Sequence, residues 1–215
     1  MKRNSELVVM RIFGICASHR KGGSSYTLLE EAMKGTEEED SSIEIKITEL
    51  ASLNVGPCIA TCAYVDPVVC AQKPFECNVK DDLQVVFEDM KQADGILIAS
   101  PYYFLIPSKL AASIERLYCV HHFTKHRHPS LSFPTADKPC GLLTVSGTGG
   151  YYNLPLLEYL QRFCLYLHMK PIVTRISPFI GVSGEDPIEK DLEALQHARI
   201  LGQMLVKAME KTSSK

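Results

Sequence analysis

The chain has 215 residues, 46% of them hydrophobic, with 23 basic and 25 acidic side chains and a formal net charge of -2. That balance offers no electrostatic footprint for nucleic acid or an acidic membrane surface, and no apolar run approaches the roughly 18 residues of a membrane span. Length and apolar content fit one ample core over residues 1–215, and Arg11 breaks the first apolar run, so no export signal is read and the cytoplasm is the expected location.

The stretch that starts at Leu7 opens with an apolar run short enough to be a buried strand, and a helical pattern starts at Tyr26, with Leu28, Leu29, Ala32 and Met33 on one face and Gly35 as its stop. The loop between them is rich in small, hydroxyl-bearing and basic residues. A strand that runs through such a loop into a helix N-terminus is a ready anion site, because free N–H groups and the positive end of the helix dipole face one place. Ser18, Ser24, Ser25 and Thr27 offer hydroxyl donors there, and Arg20 can grip phosphate oxygens bidentately. The loop matches neither Gly-x-x-x-x-Gly-Lys-Ser/Thr nor Gly-x-Gly-x-x-Gly, so one terminal phosphate monoester fits better than a triphosphate or a dinucleotide. An ordinary strand-to-helix connection is the alternative reading.

Ile43–Ile47 alternates with period two, as a strand near a sheet edge does. Residues 53–80 hold Gly56, Pro57, Pro67 and Pro74 and no sustained period; they form a long insertion that needs a staple of its own. Four of the eight cysteines, Cys58, Cys62, Cys70 and Cys77, fall in it. Without an export signal a disulfide framework is not expected, and the clustering points to a metal. Cys16, Cys119, Cys140 and Cys164 lie among apolar residues and read as core.

Asp81 and Asp82 open a helix whose stripe is Leu83, Val86, Phe87 and Met90. Gly95–Ser100 is continuously apolar, as a strand covered on both faces should be, and it ends in the aromatic loop Pro101–Ile106. Pro107 starts a helix carrying Leu110, Ile114, Leu117 and Tyr118. Residues 119–138 read as a second, His-rich loop insertion, in which His121, His122, His126 and His128 could supply metal ligands, though a solvated loop is the preferred reading. Pro139–Ser146 is another buried strand, followed by the glycine-rich turn Ser146–Tyr151 and a helix with Leu156, Leu157, Leu160, Cys164 and Leu167. Pro171–Ile176 is the last strand. Asp186-Pro187-x-Glu189 then resembles a capping box for a final helix with Leu192, Leu195, Gly202, Leu205 and Met209 as its stripe.

Five alternations of strand and helix predict one parallel sheet with helices on both faces, and ligands in such sheets lie beyond the carboxyl ends of the strands. Three loops reach that rim: Ser18–Ser25, Pro101–Ile106 and Ser146–Tyr151. A phosphate cradle, aromatic faces and a glycine floor together describe a phosphorylated ligand with a planar ring. The rim carries no evident general acid or nucleophile, so no catalytic residue is assigned; electron or hydride transfer is the chemistry that suits it.

The motifs Gly14-Ile15-x-x-Ser18-x-Arg20-Lys21-x-Gly23-Ser24-Ser25, Ala93-Asp94-Gly95-x-x-x-x-Ser100-Pro101-x-Tyr103-Phe104 and Ser146-Gly147-x-Gly149-Gly150 resemble the flavodoxin-like NAD(P)H-dependent FMN reductases, over Leu7 to about Ile176. The resemblance implies an α/β, flavodoxin-like, doubly wound five-stranded parallel sheet in three α/β/α layers, here with a cysteine-rich insertion. It implies FMN, with the phosphate on Ser18, Arg20, Ser24 and Ser25 of the loop that includes Gly23. The isoalloxazine ring would lie between Pro101, Tyr102, Tyr103, Phe104, Leu105 and Ile106 on one side and Ser146, Gly147, Thr148, Gly149, Gly150 and Tyr151 on the other. The chain departs from the family at His19, commonly Pro, at Ser24-Ser25, commonly Asn-Thr, and at Leu105, where a Gly lets a backbone N–H address the flavin N5. Glu115-Arg116 resembles the acidic–Arg pair that ends this helix in the family and is expected to be a structural ion pair.

Cys77-x-x-x-Asp81-Asp82 is similar to the iron–sulfur flavoprotein branch, in which a compact cysteine motif precedes a helix opening with Asp-Asp. That resemblance implies a 4Fe–4S cluster on Cys58, Cys62, Cys70 and Cys77, although their spacing is wider than the branch's; a zinc site and free thiols stay open as alternatives. The implied activity is an FMN-dependent oxidoreductase that takes electrons from NAD(P)H or a ferredoxin-type donor and passes them to a small-molecule or ferredoxin-type acceptor. Assembly as a homodimer or homotetramer is also implied. The competing reading is a non-catalytic module of the same fold, with structural zinc and no FMN.

Overall fold

Period two decides which side of the sheet each strand residue joins. In the computed structural model, which describes residues 9–60, 70–148, 150–174 and 180–213, β1 (Arg11–Cys16) sends Phe13 and Ile15 into one core layer and Ile12 and Cys16 into the other. β3 (Gly95–Pro101) is buried at every position and β4 (Pro139–Ser146) at all but its last, which is why both read as unbroken apolar runs. β2 (Glu44–Glu49) is half-wet and takes the sheet edge, as its alternation requires.

The strand order is β2-β1-β3-β4-β5, where β5 is Lys170–Pro171, and every pairing is parallel. One face carries α1 (Ser24–Glu39) and α5 (Leu192–Ser213); the other carries α2 (Leu83–Gln92), α3 (Ser108–Arg127) and α4 (Leu154–Tyr166). The architecture is the three-layer, doubly wound α/β/α expected from the sequence. No helix among the described residues is long and apolar enough to cross a membrane.

Four boundaries differ from the sequence reading. The expected last strand, Pro171–Ile176, is replaced by two short pieces that both pair with β4: β5 at its start and β6 (Val182–Glu185) along Leu143–Ser146; positions 175 and 176 lie outside the described residues. Gly35 does not stop α1. It lies mid-helix because a Cβ there would overlap the Arg199 carbonyl of α5, and Gly202 meets the Ala32 carbonyl in the same crossing. The His-rich insertion at 119–138 is helical as far as Arg127. The buried stripe of α3 continues through Leu117, Val120, His121 and Thr124, and two polar residues at stripe positions disguised it. The final helix is capped by Asp191, whose carboxylate accepts the Ala194 N–H at 3.0 Å, and Leu192 is exposed rather than in the stripe.

The staple that residues 53–80 needed comes from α3. Lys109 donates its ammonium to the carbonyls of Leu50, Ala51 and Leu53 at 3.0, 3.2 and 2.6 Å. Arg116, fully buried, pairs with Asp81 through two bonds of 2.6 and 2.9 Å and reaches the Gly56 carbonyl at 3.3 Å. So Arg116 has its structural ion pair, but with Asp81; Glu115 faces solvent.

Candidate functional site: an anion seat at the sheet rim

After β1 the chain turns one way to β2 and later the other way to β3, so the loops at the carboxyl ends of β1 and β3 part and leave a crevice. Backbone bonds fix the loops around it. Ala17 N–H donates to the Ala99 carbonyl, Tyr102 N–H to Val145, and Asp186 N–H to Ser146, each at 2.8 Å. His19 stacks on Tyr103, ring centroids 5.8 Å apart, and so joins the first loop to the second.

The resulting cavity of about 160 Å³ is lined by Ser18, Arg20, Ser24, Ser25, Pro101, Tyr102, Tyr103, Ser146 and Gly147, all expected, and by Val145 and Asp186, which were not. Gly23 is the residue before α1, its carbonyl accepting the Tyr26 and Thr27 N–H groups at 2.7 and 3.1 Å, and no side chain caps that helix start. Of the N-terminal N–H groups of α1, those of Ser24 and Ser25, both residues of the cavity lining, precede these two bonds and can serve an anion there. Of the other expected residues, Ile106 packs into the core and Leu105 is half-buried. Thr148 and Gly150 are exposed, and Gly149 lies outside the described residues. Phe104 and Tyr151 stand out at the rim, 94% and 74% exposed, and Phe104 adopts a left-handed backbone with φ 61°. A left-handed conformation at a non-glycine residue is a strained choice that packing must hold, and such residues gather at ligand sites.

Asp186 is the residue that sequence reasoning missed. The Ser24 hydroxyl donates to one of its carboxylate oxygens, and Arg20 Nη2 stands 3.9 Å from the other. Glu49 supplies a second carboxylate, accepting the Gly22 N–H at 2.9 Å. Behind the loop, burial pushes the Cys16 thiol up to about 11, so it is protonated and inert at neutral pH. The donor set therefore fits an anion, and the thiol behind it is not poised as a nucleophile.

The cysteine segment is less complete. Cys70 and Cys77 are buried and Cys58 is half-buried; Cys62 lies outside the described residues. Arg116 Nε donates to Cys77 Sγ at 3.3 Å, while Cys70 packs toward Cys119 and Phe123. Among the described residues no three His, Cys, Asp or Glu side chains are placed to hold a metal together. The described thiols are therefore not gathered into a ready metal set. Cys16, Cys140 and Cys164 are core, as expected, whereas half-buried Cys119 lines a hollow of about 620 Å³ with Tyr118, Phe163 and Tyr166. His121, expected in a solvated loop, is instead 2% exposed and stacked on Phe133.

Comparison with known proteins bears on the family and the fold. The family described as NADPH-dependent FMN reductase matches residues 10–177. An iron–sulfur flavoprotein of Methanocaldococcus jannaschii is 35% identical over 208 residues, 94% of this chain and 98% of that one. An iron–sulfur flavoprotein of Methanosarcina thermophila is 26% identical over 188 residues, 87% of this chain and 88% of that one. In fold, the chain resembles the flavodoxin, WrbA-like protein of Agrobacterium tumefaciens, with a TM-score of 0.57 at 13% identity, covering 94% of this chain and 98% of that one.

Proposed function

The chain belongs to the NADPH-dependent FMN reductase family, and on that premise we propose that it holds FMN with the phosphate at Arg20 and Ser24 and the isoalloxazine ring over the rim of Tyr103, Phe104 and Tyr151. Its activity class is that of an FMN-dependent oxidoreductase. The observation that carries the reading is the anion already in the seat: Ser24 and Arg20 close on the Asp186 carboxylate at the start of α1. Bound FMN supplies hydride and single-electron transfer. The chain's own residues orient and enclose. Tyr102, tied to Val145, holds the aromatic loop against β4, and Gly147, with open space where a Cβ would project, lets a flat ligand approach the backbone. The protonated Cys16 thiol offers no competing covalent chemistry.

The finer reading has NAD(P)H or a ferredoxin-type donor and a small-molecule or ferredoxin-type acceptor, in a homodimer or homotetramer. It also places a 4Fe–4S cluster on Cys58, Cys62, Cys70 and Cys77. Four thiols in one segment and the names of the two relatives support the cluster. The non-catalytic zinc module is not favoured, since the family match is to reductases.

Protein made and purified without oxygen tests both parts. Stoichiometric FMN, with a broad absorbance beneath the flavin bands and equal iron and sulfide, is expected. A colourless chain that takes up no FMN would overturn the flavin reading, and flavin without iron would overturn the cluster alone. Cys58→Ser should lose iron and keep flavin; full iron retention would remove that residue from the ligand set.

A further inference from the structure

A carboxylate inside an anion seat has the same sign as the phosphate the seat is to receive. Asp186 is not there by side-chain whim. Its backbone is pinned by the N–H bond to the Ser146 carbonyl at 2.8 Å and by the register that pairs Ser146 with Glu185, whose own N–H donates to Asp191 Oδ2 at 2.9 Å. Only its side-chain torsions are free, and the group is 39% exposed, so it can turn toward water. Arg20, 68% exposed, is one cation facing that carboxylate and cannot neutralise a phosphate dianion as well.

We propose that Asp186 is the specificity-determining residue of this seat, a resident anion that competes with the phosphate of the mononucleotide for Ser24 and Arg20. Phosphate enters only as the carboxylate turns out, so Asp186 sets how strongly the chain prefers FMN over riboflavin, which lacks the phosphate. The inference rests on the flavin reading above. Removing the charge at nearly constant shape should therefore tighten phosphate-bearing ligands and leave riboflavin alone.

The full chain, stripped of flavin, is titrated calorimetrically with inorganic phosphate, FMN and riboflavin, as wild type, Asp186→Asn and Asp186→Ser. Both variants should bind phosphate and FMN roughly tenfold tighter, about the worth of one charge-assisted hydrogen bond, with riboflavin within about twofold of wild type. Equal phosphate and FMN affinities in all three proteins would overturn the proposal. So would a parallel loss of FMN and riboflavin affinity, which would make Asp186 a ligand of the ribityl chain. If phosphate tightens as expected but no protein takes up FMN, the flavin reading falls and the competition stands.

Discussion

On the proposed reading Arg20 supplies the charge of the anion seat and Ser24 its aim, and Arg20, 68% exposed, is not part of the core. Replacing both by alanine should weaken FMN about a hundredfold by fluorescence titration, at two charged or hydroxyl contacts of about 1–2 kcal/mol each, with an unchanged melting temperature. Unchanged affinity would remove the phosphate assignment. His121 is the opposite kind of residue. Burial first, then the electrostatic influence of His168 and Lys91, push its pKa from 6.5 down to about 3, and its Nδ1 has no hydrogen-bond partner among the described residues. The unfolded chain therefore binds the extra proton between those two values. The stability His121 contributes as a neutral ring is complete above pH 6.5 and is lost as pH falls, at about 1.4 kcal/mol per pH unit. Urea midpoints at pH 7.5 and 5 should show it, and His121→Phe should flatten the dependence. The seat's hydroxyls and arginine were legible because they sit together in one strand-to-helix loop. Asp186 was not, because it lies 162 positions from Ser24 and its own neighbours, Pro187 and Glu189, made it read as a helix cap.

At the scale of elements, the crossing of α1 on α5 has the firmest geometry. Gly35 and Gly202 each face a carbonyl of the other helix, Arg199 and Ala32, and backbone cannot move aside as a side chain can. In an isolated helix Gly→Ala would stabilise by about 1 kcal/mol; here the clash should dominate, and Gly35→Ala should cost about 3 kcal/mol in urea unfolding. A neutral or stabilising result would mean that the helices slide apart freely. A glycine in a helical pattern has two meanings, a stop or a close approach, and its neighbours in the chain do not tell them apart. The end of α3 was misread for a related reason. His121 and Thr124 are polar by type, yet one stacks on Phe133 with the tilted ring of Phe75 beside it and the other accepts the Phe75 N–H at 2.9 Å, so both serve the buried face.

At the scale of the whole molecule, the Arg116–Asp81 ion pair helps tie the cysteine segment to α3. Arg116 and Asp81 are 0% and 6% exposed in their side chains. Burial raises the Asp81 pKa, but the bonds from Arg116 and from the Gly56 and Leu83 N–H groups outweigh it and hold the carboxyl below its usual value. That stability is present above the ordinary carboxylate range and is lost as pH falls through the depressed value. Arg116→Met should cost about 3–5 kcal/mol by leaving a buried carboxylate unpaired, and adding Asp81→Leu should recover part of it. No recovery in the double variant would mean that Arg116 acts through Gly56 and Cys77 instead. By itself the sequence determined the alternation of strands and helices, the edge character of β2 and the three loops at the carboxyl rim, because buried strands, amphipathic helices and glycine-rich turns are local patterns. Only the tertiary structure decided that Asp186 meets Ser24, that Arg116 takes Asp81 and not its neighbour Glu115, and that β5 and β6 share the last strand position. Each of these is a contact between residues far apart in the chain, and a distant partner leaves no mark on the residues around it.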